Sequence, residues 1–523
     1  MILKALTLEN FKGIREPVRI KFAPVTLLFG PNNAGKSTVV QALHYAREIF
    51  ERGNADPGRT LLGGDVLDLG GFDSLVHNHD RSLPIRMRFE LDLSREDLPT
   101  FQHDAEMNAD ANAWSRQVKS AALDIRIEWN RWLDGPCVAH YAVEINRTLF
   151  ATLRFADSGR GIILEFPEAA HPLFEQDEDE ESRQDILAGL SDYRPTGADE
   201  SSLMLEGLDT PLPTWGSPLP FARENWLIDG TGEESERIYT LASFTDVISG
   251  LIVGPGMILK DVLQRFRYLS PFREMPGRNH HPARSPDEFR WSNGMAAWDL
   301  LLLKGETLVE KVNAWLTHEE RLNAGYRVEV KRYKELEVNG PLMMALTGET
   351  VLDDEEWIRD AVRSLPERRQ LLIRDQRRDV ELFPQDVGVG ISQVVPVLVA
   401  GLHSQMGIVA IEEPESNIHP AFQVALGDLF ISQTREKPDL MFLVETHSEH
   451  LMLRFLRRIR ETGENELPPG APSLTPEGIA VYFVEPDDDG PRIHRIRIDR
   501  DGDFIDRWPR GFFQERMKEL YGS

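Results

Sequence analysis

Hydrophobic and polar positions alternate at the start of the chain. Leu6 and Leu8 sit between polar neighbours, and Val18, Ile20 and Phe22 flank Arg19 and Lys21. This predicts two strands around a turn at Gly13. The run Val25-Thr-Leu-Leu-Phe29 lacks that alternation, as a strand buried on both faces would. Beyond it Val39, Leu43, Ala46, Ile49 and Phe50 recur along one helical stripe. Strand, loop and helix make a βα unit. From about Ile85 to Phe166 the period is two: Ile85, Met87, Phe89, Leu91 and Leu93, then Leu123, Ile125, Ile127 and Trp129, then Tyr141, Val143 and Ile145. An antiparallel meander with one solvated face is expected.

Residues 171–235 carry Glu175-Gln-Asp-Glu-Asp-Glu-Glu181 among many Pro, Gly and Ser residues and read as a solvated loop. Helical segments follow around Ile258–Leu269 and Met295–Leu316, with strands near Tyr326–Val338 and Leu371–Phe383, before α/β texture returns. The expected division is an N-terminal lobe (1–84), an antiparallel β region (85–170), an acidic flexible loop (171–240), a helical and β insertion (241–384) and a C-terminal lobe (385–523).

Composition narrows the class. Of 523 residues, 41% are apolar and 28% charged, which excludes wholesale disorder. The formal charge of −27 disfavours a polyanion except on a locally basic face. Cys137 is the single cysteine, which excludes a disulfide scaffold. No apolar run reaches the roughly 20 residues of a membrane span, and Met1 to Gly13 carries Lys4, Glu9 and Lys12 where a signal peptide needs an apolar block. A soluble, cytoplasmic protein is expected.

Gly30-Pro-Asn-Asn-Ala-Gly35-Lys36-Ser37 matches G-x-x-x-x-G-K-[ST] between an apolar strand and an amphipathic helix. In such a loop Gly30, Pro31, Asn32, Asn33, Ala34 and Gly35 wrap phosphates with backbone N–H groups. Lys36 supplies a point charge, Ser37 ligates Mg²⁺, and Thr38 opens the helix. A second apolar strand, Ile408-Val-Ala-Ile411, ends in Glu412-Glu413-Pro414-Glu415. Glu412 takes the position that holds Mg²⁺ through water, and Glu413 the position that orients or deprotonates the attacking water. A third, Leu440-Met-Phe-Leu-Val444, ends in Glu445-Thr446-His447-Ser448, with His447 where a γ-phosphate sensor would stand. Three buried strands thus deliver polar residues at their carboxyl ends, the edge where open parallel sheets bind ligands. Gly388-Val-Gly390-Ile-Ser392-Gln393 precedes an apolar helix, Val394–Leu402, with Pro396 expected in its first turn and the Ser392 hydroxyl free at an anion-binding N-terminus.

This constellation resembles the ABC-type P-loop ATPases of the SMC, RecF and OLD-like group. Leu8-Glu-Asn10-Phe11-Lys12-Gly13 resembles the group's N-terminal strand and turn, which places Lys12 among the nucleotide contacts. Glu412–Glu415 through His419-Pro420 resembles its Walker B and D-loop, and Thr446-His447-Ser448 its switch histidine. Gly388–Gln393 stands where the ABC signature stands, although its residues differ. The tail Val481–Glu485, Ile496–Asp499 and Trp508–Phe513 resembles a subgroup ending in a domain of unknown function, and relatives include ATPase subunits of the Septu, PARIS and Gabija anti-phage systems. The resemblance implies an α/β ATPase head split in sequence by a long insertion. It also implies an ATP-dependent head dimer with Ser392 meeting the γ-phosphate in trans, and a separate effector such as a nuclease. A RecF- or SMC-like role in DNA repair or maintenance is the alternative.

Two further clusters are ambiguous in sequence. Asp487-Asp488-Asp489 imitates a nuclease Asp pair, yet Asp-Asp-Asp-Gly-Pro is also turn chemistry between two strands. Three arginine clusters read either as solvated faces or as a phosphate-tracking surface: Arg265 to Arg284, Arg363 to Arg378, and Arg454, Arg457, Arg458 and Arg460.

Overall fold

The N-terminal alternation becomes a hairpin of β1 (Leu3–Glu9) and β2 (Val18–Lys21). Val25–Phe29 becomes β3, buried at all five positions. The computed structural model describes residues 1–59, 66–101, 114–156, 161–167, 171–175, 202–221, 232–285, 288–347, 355–487 and 490–509. Asp488, Asp489, Phe512, Phe513 and residues 176–201 lie outside them.

The meander is β4 (Ile85–Asp92), β5 (Ser120–Asn130), β6 (Gly135–Ile145), β7 (Thr148–Phe155) and β8 (Ile162–Glu165). It extends in both directions. β1 pairs with β4, and β9 (Ser202–Leu205) adds at the far edge, giving an eight-stranded antiparallel sheet β2-β1-β4-β5-β6-β7-β8-β9. The solvated loop expected at 171–235 is therefore corrected for 202–221, where Leu203, Leu205, Leu219 and Phe221 are buried. The outward positions of this sheet are tied by cross-strand ion pairs, Arg86 to Asp124 at 2.5 Å and Arg88 to Glu144 at 2.5 Å.

A second sheet has the order β10-β14-β15-β3-β16-β17. Its strands are β10 (Arg267–Leu269), β14 (Gly407–Glu412), β15 (Leu440–Glu445), β16 (Ile479–Glu485) and β17 (Arg492–Ile496). All pairings are parallel except β16 with β17. Both faces are covered. Leu28, Ala410, Leu443 and Tyr482 join one core with helix Thr38–Arg52 and the antiparallel sheet, while Leu27, Ile411, Val444 and Phe483 join the other with helices Met295–Leu303, Val389–His403 and Glu449–Gly463. A small third sheet, β11 (Tyr326–Lys334), β12 (Glu367–Asp375) and β13 (Val380–Leu382), lies in the insertion.

Two helices differ from the sequence expectation. The segment placed at Ile258–Leu269 belongs to a helix that runs Gly232–Gln264, and residues 267–269 are strand β10. Gly254-Pro255-Gly256 reads as a break, yet the helix passes through it because bulky neighbours close on the small residues. A Cβ on Gly256 would lie 2.3 Å from the Trp215 ring, and one on Gly254 2.9 Å from Pro99. The helix expected at Val394–Leu402 starts earlier, at Val389, so Pro396 lies inside it rather than in its first turn.

Candidate functional site

The parallel register brings residues far apart in sequence to one sheet edge. Glu412 of β14 is the cross-strand partner of Glu445 of β15, and Glu445 in turn pairs with Leu28 of β3. The loop after β3 turns through positive φ at Gly30 (151°), Asn33 (60°) and Gly35 (91°). Pro31, Asn32 and Asn33 are exposed, whereas Ala34, Lys36 and Thr38 are buried. Lys36 Nζ donates to the carbonyls of Gly30 and Pro31, each at 3.0 Å, and to His447 Nε2 at 3.1 Å. An ammonium has only donors, so Nε2 is the acceptor and the ring proton sits on Nδ1. Burial lowers the Lys36 pKa against the pull of Glu445, Glu413, Glu415 and Glu412. Burial, then the Lys36 charge, lowers the His447 pKa.

The carboxylates have different jobs. Glu412 Oε1 accepts from the Tyr268 hydroxyl at 3.0 Å. Glu413 adopts φ 44°, a left-handed conformation unusual for a side chain of its size. Three contacts hold it there: its N–H donates to Glu445 O at 2.8 Å, Ser416 Oγ donates to its Oε2 at 2.7 Å, and Arg273 Nη2 reaches its carbonyl at 3.4 Å. Glu415 turns away and accepts from Thr446 Oγ1 at 2.8 Å and the His447 N–H at 2.6 Å, fixing the switch loop.

Three residues of the site were not assigned from sequence. Glu445 accepts the Ser37 hydroxyl at 3.0 Å through Oε2, while its buried Oε1 has no hydrogen-bond partner. Burial, then neighbouring Glu412, pushes its pKa up to about 8. It closes an apolar strand just as Glu412 does, which was the available signal. Tyr268 lies in β10 and Arg273 in the short stretch after it. Arg273 is buried and donates through Nη2 to Glu412 O at 2.6 Å. Its Nε and Nη1 are unpartnered, and burial lowers its pKa to about 10. Arg273→Ala should lower ATP turnover by about 100-fold with little change in KM, because it aims Glu413 without entering the phosphate cradle. A proportional rise in KM would contradict this.

Other expected residues fall differently. Lys12 sits at φ 53° in the turn beside Gly13. The Pro491 ring ties that turn to the P-loop: it lies 2.6 Å from where a Cβ on Gly13 would stand and 3.3 Å from one on Gly35. Ser392 is a correction. It is fully buried and its Oγ donates to Val389 O at 2.8 Å, because it lies one turn inside the longer helix instead of at its N-terminus. The exposed residues there are Gly388 and Val389. β16 and β17, on either side of the Asp487–Asp489 run, pair antiparallel, and Asp488 and Asp489 lie outside the described residues. Many of the arginines are neutralised in place. Arg374 bonds Glu329, Asp379 and Glu381, Arg369 bonds Glu367, Arg458 bonds Asp428 and Glu461, and Arg457 bonds Glu461. No helix among the described residues is long and apolar enough to cross a membrane.

Comparison with known families places both halves of this edge. Residues 1–128 match an "AAA ATPase domain" and residues 259–453 an "AAA domain, putative AbiEii toxin, Type IV TA system". Residues 474–521 match a "Protein of unknown function (DUF3696)", whose segment contributes β16, the direct neighbour of the P-loop strand. The chain is 36% identical over 99 residues to the chromosome partition protein Smc of Mycolicibacterium paratuberculosis, a match covering 16% of this chain and 8% of the relative. It has the same identity and coverage against Smc of Mycobacterium tuberculosis. The chain thus spans less than a tenth of the length of these relatives. Among solved structures it is similar to an Smc head bound to the C-winged helix domain of ScpA (9% identity, TM-score 0.40, 95% of this chain and 98% of that one). A further similar structure is the SMC head domain from Thermotoga maritima (10% identity, TM-score 0.37, 95% and 100% covered). Two segments distant in sequence, each matching an AAA ATPase domain family, close one nucleotide cradle, and the chain is a P-loop ATPase with a 99-residue similarity to Smc proteins.

Proposed function

We propose that the chain hydrolyses ATP with magnesium and works as a nucleotide-controlled switch. Two copies pair through ATP, and the paired state acts on a separate effector protein, such as a nuclease, in a prokaryotic anti-phage complex. The observation that carries the hydrolytic reading is the joining of Lys36 and Ser37 to His447 and Glu445 at the edge that also holds Glu412 and Glu413. Lys36 and the loop N–H groups bind the triphosphate, Glu413 accepts a proton from the attacking water, and neutral His447 hydrogen-bonds the γ-phosphate.

The donor set fits magnesium. Ser37, Glu412 and Glu445 offer hard oxygens, one of them buried and unpartnered. No group of three or more His, Cys, Asp or Glu among the described residues forms a metal cage, and magnesium characteristically keeps water and phosphate ligands. Bound there it would neutralise charge building on the phosphates.

For pairing, the support is the exposed N-terminus of helix Val389–His403, whose positive end suits an anion held by the other copy. The match to a family described by a toxin–antitoxin system supports the defence reading. The Smc matches favour the DNA-maintenance alternative, against which stand the neutralised arginines. Sedimentation with ATP, with ADP and without nucleotide tests the switch: a dimer that forms with ATP and dissolves on hydrolysis is expected, and a monomer throughout would remove it. Nucleotide-dependent co-purification with the neighbouring gene product separates an effector partner from DNA maintenance.

A further inference from the structure

The sequence expectation gives the magnesium to Ser37 and Glu412, yet the Ser37 hydroxyl donates to Glu445 at 3.0 Å while Glu412 Oε1 is engaged by Tyr268 at 3.0 Å. The sheet order explains the difference. β15 lies between β14 and β3, so the carboxylate at the end of β15 is the one beside the P-loop, and Glu412 stands one strand further away. Glu445 is 3% exposed, and its buried Oε1 has no hydrogen-bond partner. Leaving such an oxygen unmet is costly for a buried carboxyl, and a cation or a donating water would meet it.

We propose that the metal-holding task is divided between two strands: Glu445 would fix the Ser37 hydroxyl through Oε2 and offer Oε1 to the cation or its water, while Glu412 would serve from the adjacent strand. This rests on the magnesium-dependent ATPase reading. The serine hydroxyl keeps its proton and points it at Glu445 as a hydrogen bond, so the oxygen lone pairs are left for the metal. The two glutamates are not interchangeable: Glu445 acts on the serine, whereas Glu412, held by Tyr268, stands beside it on the next strand, one strand further from the P-loop.

The test is equilibrium binding of a fluorescent ATP analogue to the full chain, with magnesium and with a chelator, for wild type, Glu445→Gln, Glu412→Gln and Ser37→Ala. Wild type is expected to bind more tightly with magnesium. Glu445→Gln should lose at least about tenfold of that metal-dependent gain while metal-free binding is unchanged or tighter. Combining it with Ser37→Ala should cost little more than either alone. Retention of the full gain by Glu445→Gln overturns the division of labour, as does an equal loss with and without metal, which would mark a structural role. Wild type that gains nothing from magnesium would remove the ATPase reading itself and this inference with it.

Discussion

Exchange of Glu413 for glutamine is expected to cut ATP turnover by about 10²- to 10⁴-fold, the range for a lost general base, while ATP remains bound. Glutamine keeps the volume and the contact with Ser416 Oγ, so the turn at φ 44° has no reason to relax. It cannot take a proton from water. Lys36 and the Gly30 to Gly35 loop, which bind the phosphates, are untouched, and any ATP-paired state should therefore accumulate. Phosphate release and nucleotide binding measured on the same preparation decide the matter. Hydrolysis at the wild-type rate would remove Glu413 from its role and leave Glu412 or Glu445 to be considered as base.

Lys36→Ala should instead abolish binding. Lys36 is surrounded by Glu445, Glu413, Glu415 and Glu412, and a charge-assisted hydrogen bond contributes about 1.5–3 kcal/mol. Its removal forfeits that interaction and leaves the neighbouring glutamates without their counter-charge beside a polyanionic substrate. Affinity for ATP should fall by at least about 100-fold, each tenfold step being about 1.4 kcal/mol. The fold should survive, because alanine also removes the cost of burying an ammonium. Titration calorimetry alongside thermal melting separates the two effects. Near-normal affinity in a well-folded variant would show that the loop binds phosphates by its backbone alone.

What could be seen in sequence was whatever local pattern dictates. Val25–Phe29, Ile408–Ile411 and Leu440–Val444 are apolar runs of strand length with polar ends, and all three form neighbouring parallel strands. What escaped depends on register or on distant packing. That Glu445, rather than Glu412, meets Ser37 follows from β15 lying between β14 and β3, which no local pattern states. Strand β10 has three residues, too few to show a period, and it exists because Tyr268 and Leu269 line up with Ala410 and Ile411. The buried setting of Ser392 follows from one extra helical turn at Val389. The arginines looked free because their carboxylate partners lie across strands or on adjacent helices, as with Arg374 and Glu329 or Arg458 and Asp428.

The hairpin of β16 and β17 bears on the opposite end of the chain at three glycines. A Cβ on Gly30 would stand 2.4 Å from Val484 O, and Pro491 crowds both Gly13 and Gly35. The segment of unassigned family and the motor's phosphate-gripping loop are thus cast as one piece. Excising residues from 474 onward would strip β3 of a flanking strand instead of yielding a leaner enzyme, and a tail transplanted from a cousin would have to fit against Gly13, Gly30 and Gly35.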